Sequence, residues 1–426
     1  MERRRLQLKI TDVGFETFQS VFEWSFVRVH AGEEYGTGEA GPIPDLVGCG
    51  EAFRPLLVGE DALKVNRIEE KLRHATLYAG TSYQSIASAV NIALHDLIGK
   101  HLNVPVWQLI GGDRDEIRVY ADAHAGTSFE EIDSVLVPVG EPRAEPGGRK
   151  KRRPSTPRAA SPILGRLAEE RFTEVYTPEA FARRALEMKR AGYSAVKFDL
   201  DVPTPFTRAA NRRSGEVGLR EAAYLGEIAA AVRQAIGEDM ELAIDLHWRY
   251  DVGSALRICR ALEPSRVRWV EDPTPATKSL SNLAELGAIT SRTPIPIATG
   301  ENLRSVAEFI QLLDAGVLVW TPDLVKAGGI TEGRRIAELA SLYDLEFSPH
   351  NISSPVGTMA SAHACSLSNT FGYLEFHCHG LDEWPRMARS KAPVVQEGVV
   401  RLGEEPGLGL ELDEEYVRRR FGHFEL

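Results

Sequence analysis

Cysteine is scarce in this chain. Its 426 residues hold four, Cys49, Cys259, Cys365 and Cys378, with no C-x-x-C pair among them. That excludes a disulfide-stapled scaffold and a thiolate zinc knuckle, and it fits a thiol-reducing, cytoplasmic setting. Long apolar runs are missing too: nothing approaches the ~18–20 residues that cross a bilayer. The basic start Met1–Arg5 has no apolar stretch behind it, so it does not read as a secretory signal. Nor is there an excess of positive charge. Lys and Arg number 50 against 61 Asp and Glu, a formal net charge of −11, which argues against a dedicated nucleic-acid or anionic-membrane surface. What is present is ordinary for a globular protein, with 43% hydrophobic and 26% charged residues.

The apolar pattern changes along the chain. Residues 1–115 read as an α+β domain. Leu6–Thr17 and Phe22–His30 alternate like strands, Glu33–Glu39 reads as turn chemistry, and Ala62–Leu77 and Ser82–Leu102 carry helical periodicity. From Ile117 short apolar strands alternate with amphipathic helices. The strands are Ile117–Ala121, Ser194–Asp199, Leu242–Leu246, Val267–Val270, Pro296–Thr299, Leu318–Trp320, Glu346–Ser348 and Tyr373–Glu375. Pro178–Arg190, Leu219–Ile236 and Gly329–Leu342 are three of the intervening helices. Eight such units imply parallel pairing and a closed (β/α)8 barrel spanning residues 116–391. Residues 392–426 leave that rhythm and are expected to return to the N-terminal domain. Pro138–Arg171, with its basic run Arg149–Arg153, fits neither pattern. It is expected to be a solvated, poorly ordered insertion in the first barrel loop, with a lid over an acidic substrate or a basic localisation or RNA-binding tag as alternatives.

Polar residues recur at the ends of these strands. Asp245, Glu271, Glu301, Asp323, His350 and Glu375 follow one another at intervals of about 25 residues, roughly one strand–helix unit. In a barrel that period brings six side chains to one mouth. Asp245, Glu271 and Glu301 offer hard oxygen ligands and no thiolate, which selects Mg²⁺, or Mn²⁺ in its place. A dication there would stabilise the enolate formed when a carboxylate loses its α-proton. His350 is the base candidate, with Asp323 one strand earlier to hold its tautomer. His247 lies two residues beyond Asp245, on the same inward strand face. Glu375 would hydrogen-bond the substrate carboxylate if neighbouring carboxylates raised its pKa.

These motifs carry a resemblance. Asp245-Leu246-His247, Trp269-Val270-Glu271-Asp272-Pro273, Ala298-Thr299-Gly300-Glu301-Asn302, Asp323 with Gly328–Glu332, and Ser348-Pro349-His350-Asn351 resemble the enolase superfamily. The closer likeness is to its mandelate racemase branch and the acid-sugar dehydratases within it. The resemblance implies a modified (β/α)8 barrel under an α+β cap built from the N-terminal part and the C-terminal tail. It makes Asp245, Glu271 and Glu301 the ligands of one Mg²⁺, His350 with Asp323 the base, and Glu375 the acid that hydrogen-bonds the enolate. Lys197 matches the first lysine of the family's Lys-x-Lys motif, which contacts the substrate carboxylate. This chain reads Lys197-Phe198-Asp199, so the second lysine, the usual base on the opposite face, is absent and two-base racemisation is disfavoured. His247 resembles the general acid of galactonate-type and mannonate-type dehydratases.

The resemblance therefore implies a hydro-lyase acting on a sugar acid such as gluconate, galactonate or mannonate, giving a 2-keto-3-deoxy acid. A racemase or epimerase using His350 with Asp199 or His247 opposite, or a metal-binding relative without turnover, are the alternatives. A small acid-sugar substrate and a homo-oligomer, the latter by analogy with relatives, are the expected partners, with neither nucleic acid nor membrane.

Overall fold

The computed structural model describes residues 7–19, 23–41, 46–76, 81–124, 172–207, 215–275, 282–422, 424 and 426. The basic segment 138–171 lies outside the described residues. Three antiparallel strands open the fold, β1 (Asp12–Gln19), β2 (Glu23–Ala31) and β3 (Glu34–Ala40), in that spatial order. The stretch expected to be turn through Gly36 and Gly38 is strand instead, and the turn is confined to Gly32 and Glu33. Close packing is the reason. The helix Thr81–Leu102 lies directly on β3, so that a Cβ on Gly36 would stand 2.0 Å from the Ala93 carbonyl oxygen and one on Gly38 2.0 Å from that of Ala89. Here glycine marks backbone approaching backbone rather than a reverse turn. Val27, Val29, Ile86, Val90, Leu94 and Leu97 fill the core between this sheet and its helices.

Eight parallel strands follow: β4 (Glu116–Asp122), β5 (Ala195–Asp199), β6 (Glu241–Asp245), β7 (Val270–Glu271), β8 (Ile297–Thr299), β9 (Val319–Trp320), β10 (Glu346–Phe347) and β11 (Leu374–Phe376). Sequential neighbours pair from β4 to β10, and β4 also pairs with β11. The ring closes where Phe347 bridges Phe371 in parallel and the Glu375 N–H donates to the Pro349 carbonyl. Helices Pro178–Arg190, Leu219–Ile236, Val252–Leu262, Leu283–Thr290, Val306–Asp314, Gly329–Leu342 and Pro355–Cys365 separate consecutive strands. Among the described residues no helix is long and apolar enough to cross a membrane.

Inside the ring, Tyr120, Ala195, Ala243, Trp269, Ala298, Val319 and Tyr373 form their own buried cluster. Strand alternation puts the residue two positions further on over the same inward face. For five of these seven that residue is charged: Asp122, Lys197, Asp245, Glu271 and Glu375. The apolar layer is thus the floor, and the charged layer is the mouth.

Cap and barrel are tied at several points. Glu39, at the end of β3, accepts from the Ser354 N–H at 2.9 Å, the Ser354 hydroxyl at 2.5 Å and the Gly357 N–H at 2.8 Å. It thereby caps the first turn of the helix Pro355–Cys365, whose N–H groups have no partner within the helix. In the C-terminal segment, Val399–Arg401 adds antiparallel to β4. Beyond it, Leu408 N–H donates to Asp96 at 2.9 Å, and Glu414 pairs with Arg28 at 3.0 Å, both on the cap.

The packing at β3 predicts a contrast between two glycine substitutions. Gly38→Ala should lower stability by about 1–3 kcal/mol, because the new methyl meets backbone that cannot yield. Gly287→Ala, on the helix Leu283–Thr290 with open space around it, should be neutral or raise stability by up to about 1 kcal/mol. Urea unfolding of both variants beside the parent chain checks this.

Candidate active site

The strand ends bring the expected residues together. Lys197 and Asp199 lie on β5, Asp245 ends β6, Glu271 ends β7, and Glu375 sits within β11. Glu301, Asp323 and His350 follow β8, β9 and β10 by two or three residues. All are buried; His247 is the exception, with a quarter of its side chain exposed. Glu301 is turned into the mouth by Gly300, whose φ of +142° is one that L side chains rarely adopt, and whose Cβ would lie 2.6 Å from the Phe309 ring.

One ammonium serves three carboxylates. Lys197 Nζ lies 3.2 Å from Asp245 Oδ2, 3.0 Å from Glu271 Oε2 and 2.9 Å from Glu375 Oε1. Burial alone would favour the neutral amine, but Glu271, Glu375 and Asp245 hold it charged, well above the usual lysine range. The compensation is incomplete. Burial pushes Glu271 up to about 7, where Lys197 lowers it and Asp245, Glu375 and Glu301 raise it further. Asp272 stands well above the carboxylate range, first through burial and then through Glu301, Asp245 and Glu271.

Glu271, Asp272 and Glu301 form an all-carboxylate group of donors within 4.8 Å of one another. Asp272 was expected only as part of a motif. Asp245 reaches this group through the lysine it shares with Glu271. Asp272 also accepts the Thr299 hydroxyl at 2.5 Å from a left-handed backbone, φ +44°. Glu271 Oε1 is buried without a hydrogen-bond partner among the described residues. An orphaned carboxylate oxygen amid like charges, with only hard donors around it, fits a small dication.

Two imidazoles flank this cluster. His350 Nδ1 lies 2.9 Å from Asp323 Oδ2, and its Nε2 lies 3.3 Å from Glu301 Oε2 and 3.8 Å from Glu375 Oε2. Burial would lower the ring's pKa; Glu301, Glu375 and the Asp323 hydrogen bond outweigh that and lift it to about 9. Lys326 Nζ shares Asp323 Oδ2 at 2.9 Å, and with His350 it keeps that carboxylate ionised against the effect of burial. On the far side, His247 Nδ1 lies 3.2 Å from Asp201, while its Nε2 faces Asp245 at 3.7 Å and Asp199 at 3.8 Å. These carboxylates hold His247 well above the usual histidine range despite burial. Its φ of +42° is a strained conformation for a non-glycine residue, and its N–H donates to Asp245 Oδ1 at 2.9 Å. The strands β6 and β10, which carry the two histidines, stand diametrically across the eight-strand ring.

Sequence reasoning missed Lys326, Asp201, Asp122, His124 and His377 as members of this mouth. A signal for three of them was present. Acid-x-His occurs at Asp122–His124 and Glu375–His377 as it does at Asp245–His247, each at a strand end with both residues on one face.

Comparison with known proteins agrees with this architecture. Residues 12–111 match the family described as mandelate racemase / muconate lactonizing enzyme, N-terminal domain, and residues 180–416 match the enolase C-terminal domain-like family. A D-xylonate dehydratase from Haloferax volcanii is 34% identical over 412 residues, covering 95% of this chain and 87% of that protein. A D-gluconate dehydratase from Thermoproteus tenax is 26% identical over 389 residues, covering 90% and 66%. Among solved structures, a mandelate racemase/muconate lactonizing enzyme-like protein from Rubrobacter xylanophilus superposes with a TM-score of 0.81 at 35% identity, covering 97% of this chain and 98% of that one. With its capped barrel and the charged ring at its mouth, this chain belongs to the mandelate racemase / muconate lactonizing enzyme family of the enolase superfamily.

Proposed function

We propose that this protein is a Mg²⁺-dependent dehydratase of an acid sugar, converting an aldonate to a 2-keto-3-deoxy acid. The observation that carries the reading is the pair of unlike histidines facing each other across one carboxylate cluster. His350 is backed by Asp323 and presents Nε2 inward; His247 is held charged and presents Nε2 from the opposite wall. The relatives named as D-xylonate and D-gluconate dehydratases support the same class.

Asp245, Glu271 and Glu301 would hold the dication, with Mn²⁺ able to substitute; Asp272, with its carboxyl pKa well above the usual range, is the weaker fourth donor. When bound, the ion supplies positive charge against the dianion that develops on the substrate carboxylate. Lys197 contacts that carboxylate from the β5 side. His350, lifted to about 9, reacts through its neutral fraction: Nε2 takes the C2 proton, and the C–H electron pair passes into the carboxylate as an enolate. The proton on Nε2 leaves an imidazolium whose Nδ1–H is already directed at Asp323. Glu375, beside Lys197, donates to the enolate oxygen through a carboxyl O–H, a role that needs it protonated in the substrate complex. The C3–O bond then breaks as C2=C3 forms, and His247 Nε2–H gives its proton to the departing hydroxyl, which leaves as water. The enol tautomerises to the ketone. Asp199 replaces the second lysine and accepts from His124 at 3.0 Å, so it is a poor second base.

Two outcomes are expected. Chelation should abolish activity and added Mg²⁺ restore it, while Mg²⁺ should also raise the melting temperature, with a smaller rise in Glu271→Gln. Full activity after exhaustive chelation would remove the metal from the mechanism.

The second test separates the two histidines. In a panel of aldonates in D₂O, His350→Asn should lose both elimination and C2 exchange. His247→Asn should lose about 10²–10⁴-fold in elimination yet keep slow exchange. A sugar acid that yields its C2 epimer with no keto product would identify an epimerase instead.

A further inference from the structure

At the ends of β4 and β11, the strands between those of Lys197 and His350, lies a second cluster that the proposed chemistry does not use. β4 and β11 are paired in register, Phe376 beside Ala121, which brings His124 and His377 together just beyond their ends. Both are buried, and the rings meet edge to face with centroids 4.7 Å apart. Each Nδ1 faces a carboxylate. His124 Nδ1 lies 3.0 Å from Asp199 Oδ2, and His377 Nδ1 lies 2.5 Å from Asp122 Oδ2. An ionised carboxylate only accepts, so each Nδ1 directs a proton at its carboxylate, and the ring's other nitrogen, Nε2, is the atom left to meet its neighbour. The two Nε2 atoms lie 3.4 Å apart. A positive charge between the two nitrogens, a proton or a metal ion, suits that spacing, and Asp122, His124 and His377 each bring a ligand atom within 4.8 Å of the others.

We propose that His124 and His377 form a second cation site, built for a first-row transition dication such as Zn²⁺ or Fe²⁺ and distinct from the all-oxygen cluster. The 3.4 Å separation matches the edge of a coordination shell with metal–nitrogen bonds of about 2.0–2.1 Å. Asp199 and Asp122 supply the carboxylates that ligating imidazoles ordinarily engage through their other nitrogen, fixing tautomer and ring orientation. Asp122 adds a further donor: its Oδ2 is 3.7 Å from His124 Nε2, and its Oδ1 is buried without a hydrogen-bond partner among the described residues. Despite burial, Lys197 and the hydrogen bond from His377 hold the Asp122 carboxyl below its usual range.

Donor chemistry sorts the two sites. Imidazole nitrogen suits Zn²⁺, Fe²⁺ and Co²⁺ and leaves Mg²⁺ to the carboxylates. Asp199 lies between the two regions, its Oδ2 3.0 Å from His124 Nδ1 and its Oδ1 3.8 Å from His247 Nε2.

Full-length protein stripped of metal is titrated with Co²⁺ in saturating Mg²⁺, and the visible absorption of Co²⁺ reports nitrogen ligation. One equivalent per chain should bind in the presence of Mg²⁺, and His377→Asn and His124→Asn should each lose it. Asp122→Asn keeps both imidazoles and should weaken uptake about 10–100-fold. Glu271→Gln should leave this equivalent in place. A retained Mg²⁺-induced rise in melting temperature shows that each histidine variant is folded. Complete competition by Mg²⁺, or uptake unchanged in both histidine variants, overturns the proposal; a pair that simply shares a proton gives the first of these results. The measurement uses no sugar acid, so a failed dehydratase assay leaves its outcome standing.

Discussion

Like charge confined under low dielectric is the constraint around which this molecule is organised. Asp245, Glu271, Asp272, Glu301 and Glu375 are all buried at one mouth, with the Lys197 ammonium in direct contact with three of them. Such a cluster cannot be fully ionised without added positive charge. The raised Glu271 and Asp272 record that deficit. Glu301, which lifts His350, also belongs to the oxygen cluster proposed to hold a dication, so the histidine's proton affinity and metal occupancy would bear on one carboxylate. The apolar floor of Tyr120, Trp269 and Tyr373 bars water from below, and it makes each unpaired charge above it costlier.

Much of this arrangement is legible in the sequence because a barrel converts period into position. Acidic and histidine residues spaced one strand–helix unit apart have to converge, whatever the helices between them contain. That logic finds Asp245, Glu271, Glu301, Asp323, His350 and Glu375. It is blind to residues whose partners depend on three-dimensional adjacency across the closing seam. His124 and His377 are separated by most of the barrel in sequence and meet only because β11 pairs with β4. Lys326 escapes for another reason: it follows Asp323 by three residues in the turn before a helix, where a lysine reads as solvated surface.

Gly36 and Gly38 show how local rules mislead. Composition alone assigns them to a turn, since glycine is the commonest punctuation of the chain. Their role instead comes from the helix Thr81–Leu102 pressed against the strand. A glycine in alternating sequence carries two readings, and only the location of the neighbouring helix distinguishes them.

The Glu39 link bears on how the molecule comes apart. Its carboxylate belongs to the cap, yet its hydrogen-bond donors are all in the first turn of the last barrel helix. Lifting the cap as a rigid lid would strand an acceptor and open a helix terminus together. Such a coupling makes separate melting of the two domains costly and favours their unfolding as one cooperative unit.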